Sequence, residues 1–165
     1  MESGVTRSMT RRYGRAPKGQ RVPGAVPLGH GEVTALIGAL ALDGVRAGFT
    51  VDAATDGDVF QVFVEQVLRP ALQPGDVVIW NNLPAHKSVD LQPTVASAGA
   101  TLLPLPPYSP DFTPIEQCWS KVKEYLRSAQ ARTSEALQQA VTHAFAAVTA
   151  SNAQGWFQHC GYRSG

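Results

Sequence analysis

Asn81, His86, Lys87 and Glu116 are the residues whose types and positions suit phosphate or metal chemistry. The first three lie in Val77–Lys87, VVIWNNLPAHK, where an apolar run gives way to two asparagines and a histidine. A strand ending there would offer those side chains to a ligand. Glu116 lies in Leu102–Trp119, LLPLPPYSPDFTPIEQCW. A carboxylate is a hard oxygen donor suited to Mg²⁺, and an amide oxygen can join it without adding charge. His86 and Lys87 stand where they could meet a nucleic-acid phosphate.

The elements around Glu116 explain how it would be aimed. Leu102–Leu105 reads as the end of a buried strand, and Pro106-Pro107 bars the ladder from continuing because proline has no N–H to give. Tyr108–Asp111 is turn chemistry. Thr113 can cap a helix and Pro114 suits its first position, while Ile115, Cys118, Trp119, Val122 and Leu126 recur at helical spacing. Glu116 therefore falls in the first turn of a helix entered from a rigid loop. A structural alternative stands beside this one: Thr113-x-x-Glu116 is also a capping box, in which the glutamate would bond the cap residue's N–H.

Taken together, Asn81-Asn82, His86 and Pro106–Glu116 resemble the DDE/D transposases of the mariner superfamily, in particular the bacterial insertion-sequence branch. That family carries an Asp-Asn pair after a buried strand, a histidine soon after, and a PPYSPDLNPIE-type loop ending in its third catalytic acid. Here 34 residues separate positions 81 and 116, similar to the family's gap. Arg15–Gly19, Asp43-Gly44 and Pro74–Asp76 extend the resemblance over nearly the whole chain. It implies a ribonuclease-H-like α/β fold, a mixed sheet flanked by helices, with the first acid on a central first strand. It also implies Mg²⁺ or Mn²⁺ as cofactor and DNA as partner. In such chemistry two cations activate the nucleophile and stabilise the leaving oxygen during in-line attack on a phosphodiester.

The chain departs from the family at two of its three acids. The family's first acid stands in an Asp-Glu-Ser-type stretch, and the match begins Met1-Glu2-Ser3-Gly4, so Met1 falls at the acid's position. A thioether is a soft, poor partner for Mg²⁺. Asn81 holds the second position, and Glu116 alone remains as an acid in register. Glu2 is one residue off and on a strand would point to the other face. Asp76 should lie about 17 Å from position 81, at the far end of its strand. The sequence is accordingly expected to be a catalytically impaired, N-terminally truncated transposase domain with its first strand largely missing. The alternatives are a non-catalytic DNA-binding or assembly module that pairs with intact copies, and a metal nuclease completed by an unusual ligand.

Charge sharpens the DNA expectation. The formal net charge of +1 conceals a window, Arg7, Arg11, Arg12, Arg15, Lys18 and Arg21, that holds six of the 14 basic residues and no acid. Such a window suits phosphate contact with counterion release, or else forms a solvated arm. Tyr13 adds one stacking group. Cys118 and Cys160 form neither a disulfide framework nor a zinc spacing, so a reducing cytoplasm is expected. The sequence shows no secretory h-region and no apolar run long enough to span a membrane.

A chain of 165 residues with 44% hydrophobic and 16% charged residues is long and apolar enough to fold as one domain over 1–165. Its parts would be a basic, glycine- and proline-rich segment over 1–31 and an α/β core over 33–162. Within 1–31 a short strand is expected near Arg21–Val26. Strands at Val33–Leu42 and Val45–Val51 would flank an Asp43-Gly44 turn, and Asp56 would cap a helix to about Leu72. A strand at Asp76–Trp80, a helix at Ser88–Ala98, a strand at Thr101–Leu105 and helices from Pro114, Thr133 and Asn152 complete the order. Glu2–Val5 reads as too short and too glycine-rich for a strand. The hairpin and Asp76–Trp80 would then lack a partner between them, exposing edges prone to self-association. His159-Cys160 reads as packing.

Overall fold

The computed structural model describes residues 1–28, 32–52, 55–81, 90–106 and 109–163. Three antiparallel strands, β1 (Glu2–Thr6), β2 (Val33–Ala41) and β3 (Gly44–Val51), form one ladder in the order β1-β2-β3. β4 (Val77–Trp80) and β5 (Thr101–Pro104) form a separate parallel pair. Between β3 and β4 run α1 (Gly57–Phe63), a π-helical turn (Val64–Leu68) and α2 (Arg69–Ala71). α3 (Gln92–Ser97) links β4 to β5, and α4 (Pro114–Ala129), α5 (Ser134–Ala146) and α6 (Ala150–His159) close the chain.

β2 explains the layering. Its run VTALIGALA is apolar on both faces, as a strand covered on both sides must be. Leu36 packs into one core cluster with Trp119, Val122 and Leu126 of α4 and Leu137 and Val141 of α5. Ile37, one residue on and therefore on the opposite face, packs into a second cluster with Phe60, Phe63 and Leu68. Trp80 and Leu102 lean on that second cluster, and the rings of Phe60 and Trp80 lie 4.6 Å apart. α1 and its continuation thus cover one face and tie β4–β5 to it, while α4 and α5 cover the other.

Several expectations are corrected. Glu2–Thr6 does form a strand, in register from Glu2 opposite Ile37 to Thr6 opposite Val33, with Val5 buried. The glycine at position 4 lies against Val33, and pairing along a buried strand outweighs its backbone entropy. Arg21–Val26 is irregular and exposed, and Pro23 withholds an N–H from any ladder there. The hairpin turn is Leu42-Asp43, one residue earlier than read; Gly44 opens β3 at φ +131°, where a Cβ would come within 3.0 Å of the Val148 carbonyl. Asp56 caps α1 by accepting from the Val59 N–H at 3.0 Å, and the helical run reaches Ala71 as expected, but its middle, Val64–Leu68, is a π turn next to Pro70 with its missing donor. The expected helix from Ser88 begins among the described residues at Gln92; Ser88 itself lies outside them. The last helix starts at Ala150 rather than Asn152, because Thr149 and Asn152 make a reciprocal capping box.

Candidate active site and nucleic-acid interface

Glu116 stands in the first turn of α4, between the buried Ile115 and Cys118, and is itself exposed. The capping box the sequence allowed does not form. The Thr113 hydroxyl turns back to donate to the Ser109 carbonyl at 3.0 Å and caps no N–H of α4. Among the described residues Glu116 is held through its backbone, its N–H donating to the Thr113 carbonyl at 3.1 Å. Its carboxylate is therefore not spent on the helix end.

The Met1 amine donates to the Gly38 carbonyl at 3.0 Å, and the Gly38 N–H donates to the Met1 carbonyl at 2.9 Å. This is a complete antiparallel pair that carries the β1–β2 ladder one step past Glu2. Burial pushes the amine from 8.0 down to about 6, partly opposed by the negative charges of Glu2 and Glu116. Positions 1 and 116 are thus brought into electrostatic reach of one another. Asn81 follows β4 directly, and its Oδ1 is buried without a hydrogen-bond partner among the described residues; the same holds for Oε2 of Glu2. Asn82, His86 and Lys87 lie outside the described residues.

Asp76 does not belong to this cluster. Its carboxylate accepts from Arg46 at 3.0 Å and from the Gln73 N–H at 2.9 Å, locking the opening of β4 to β3. Cys118 is excluded as a ligand or nucleophile, since burial pushes its thiol up to about 12. His159 is exposed rather than packed, and Cys160 is buried.

Among the described residues the donors lack the clustered carboxylates that a pair of divalent cations takes. Among the described residues no three His, Cys, Asp or Glu side chains converge. Asn81 and Glu2 bring orphaned oxygens, but an amide carries no charge and Glu2 sits on the alternate face of β1.

The basic window occupies the long β1–β2 connection, and the structure divides it. Arg7 is paired with Glu32 at the base of the connection. Arg132, which the sequence reading missed, donates to the carbonyls of Arg7 at 2.8 Å and Met9 at 3.0 Å, pinning the same base to the start of α5. Nothing in sequence could relate residues 125 positions apart. Arg11, Arg12, Arg15, Lys18 and Arg21 are exposed, with Tyr13 90% exposed among them. The result is a solvated arm of cations on a fixed base.

Residues 2–138 match the family model described as DDE superfamily endonuclease. No curated protein sequence matches the chain. Among solved structures, the Mos1 mariner paired-end complex with Mn matches with a TM-score of 0.73 at 19% identity, over 97% of this chain and 50% of the Mos1 chain. The Mos1 transposase paired-end complex with left transposon end gives 0.71 at 19% identity, over 97% and 49%. The Mos1 strand transfer complex gives 0.69 at 19% identity, over 96% and 48%. The shared fold is the ribonuclease-H-like one, and the chain spans about half the length of these Mos1 chains.

Proposed function

We propose, from the premise that the chain belongs to the DDE superfamily of endonucleases, that it is an insertion-sequence transposase domain that holds DNA without cutting it. What supports this reading is the residue type at the three positions where the family's acids are expected. Glu116 is the one carboxylate in register, position 1 offers a thioether, and position 81 offers an uncharged amide. The Mos1 relatives were solved with Mn, with Mg and with transposon ends. A comparable donor set would require carboxylates at positions 1 and 81 of this chain.

DNA contact falls to the arm. Arg11, Arg12, Arg15, Lys18 and Arg21 can each displace counterions from phosphates, an interaction that reads no sequence. A fluorescence-anisotropy titration with two unrelated duplexes tests this. Both should bind with similar affinity, and a variant with Arg11, Arg12, Arg15 and Lys18 replaced by alanine should bind at least tenfold more weakly. Undiminished binding by that variant would remove the arm from the interface.

A second reading, pairing with intact transposase copies to modulate them, draws on the arm's exposed apolar residues Val22, Val26 and Leu28, which suit protein contact as well as DNA. Co-purification of tagged and untagged chains with an intact transposase checks it.

A further inference from the structure

The arm between β1 and β2 is shaped from tip to base. At its tip the Gln20 N–H donates to the Pro17 carbonyl at 3.0 Å, and Gly19 takes φ +88°, the left-handed position that such a turn needs. Further down, a Cβ on Gly14 would come within 2.5 Å of Val22, so the two limbs touch there. Arg15, Lys18 and Arg21 are thereby gathered, exposed, at one end of a doubled-back loop. At the base the Met9 N–H donates to the Thr6 carbonyl at 3.3 Å, and the Met9 side chain packs against the core cluster of α4 and α5.

What fixes the base decides where the tip charges point. The Arg7–Glu32 ion pair contributes little, because the Glu32 side chain is 84% exposed and water screens such a pair. The Arg132 guanidinium contributes more. Its Nη1 donates to the carbonyls of both Arg7 and Met9, at 2.8 and 3.0 Å, so a single charged donor group closes over the turn that starts the arm. Its place follows from the end of α4. Gln130 takes a left-handed conformation, φ 50°, and its N–H donates to the Leu126 carbonyl at 3.1 Å; the chain then passes the end of β1 before Thr133 caps α5. Ala131 packs on the same cluster as Met9. α4 is 16 residues, or about 24 Å, long, with Glu116 in its first turn. One rigid helix therefore presents Glu116 at its start and the arm's anchor just past its end.

We propose that Arg132 is a positioning residue for DNA binding: it touches no phosphate, and it holds the base of the arm so that the tip cations meet a duplex in a pose already formed in the free protein. The role rests on the reading of the arm as the DNA contact. An anchored arm loses less conformational freedom on binding than a loose one, so anchoring raises affinity without adding a contact. Arg132 is occupied by the two carbonyls and adds nothing to the counterions released.

The test compares the unaltered chain with Arg132→Ala and Arg132→Lys, by anisotropy titration of one duplex across a salt series and, without DNA, by amide hydrogen exchange. Lysine keeps the charge but reaches one bond less far than arginine. Arg132→Ala should weaken binding about tenfold at every salt concentration and leave the slope of log affinity against log salt unchanged. Arg132→Lys should recover only part of that loss. Without DNA, exchange at the Met9 amide should quicken in Arg132→Ala while Gln20 at the tip changes little, and equal unfolding midpoints should separate anchoring from loss of fold. A slope shallower by about one would make Arg132 a phosphate contact and overturn the proposal. Full recovery by lysine, undiminished affinity in Arg132→Ala, or unchanged Met9 exchange would overturn it equally. Failure of the unaltered chain to bind DNA would overturn the reading of the arm itself, before any variant is compared, and this role with it.

Discussion

An asparagine at position 81 keeps the shape and one oxygen of an aspartate but none of its charge, and its Oδ1 is already buried without a partner among the described residues. Asn81→Asp would place a charge where even a neutral acceptor is unsatisfied. Without metal the variant should therefore lose about 1–3 kcal/mol of stability. Mn²⁺ should restore part of the loss, because two carboxylates would then face one cation; thermal melts with and without Mn²⁺ decide it. Identical melts under both conditions would separate position 81 from Glu116. The Met1 amine gives a second residue-scale prediction. Its unfolded value is 8.0 and its folded value about 6, so between these pH values the unfolded chain binds the extra proton. Stability from this group is complete above pH 8, falls as pH drops to 6 and is flat below, a loss of about 2–3 kcal/mol. Urea melts at pH 6 and pH 8 should show the loss, and Nα-acetylation should abolish that part of the pH dependence.

Among the elements, the arm and the β3–α5 seam give separable tests. If about four to five arm cations meet phosphates, log affinity for DNA should fall with log salt at a slope of about −4. A slope near zero would mean that the arm stays in solvent. At the seam, a Cβ on Gly48 of β3 would come within 2.3 Å of the Phe145 ring of α5. Gly48→Ala should therefore cost about 1–3 kcal/mol through overpacking, measured by denaturant unfolding. Elements with a strong local signal were legible: the period of Ile115, Cys118, Trp119, Val122 and Leu126 gave α4, and the continuous apolar run gave β2. β1 was not legible, because Glu2-Ser3-Gly4 carries no strand propensity and the element exists by pairing with β2. The π turn at Val64–Leu68 has the same apolar stripe as an α-helix, so spacing alone could not separate them.

At the scale of the molecule, the fold follows from alternation of apolar runs with amphipathic helices, and the placement of Glu116 at a helix start followed from Thr113-Pro114. The cluster was harder to read. A capping box and an unengaged carboxylate share one sequence, and only the Thr113 hydroxyl's turn toward Ser109 separates them. The Met1 amine's burial and Arg132's grip on the arm depend on contacts far apart in the chain. The central claim is that DNA is bound and not cut, and a nicking assay tests it most directly. Supercoiled plasmid is incubated with the chain in Mg²⁺ or Mn²⁺, with Glu116→Ala in parallel, and products are resolved on a denaturing gel. The account predicts retarded plasmid with no nicked product above the Glu116→Ala background. Metal-dependent nicking by the unaltered chain that disappears in Glu116→Ala would contradict it.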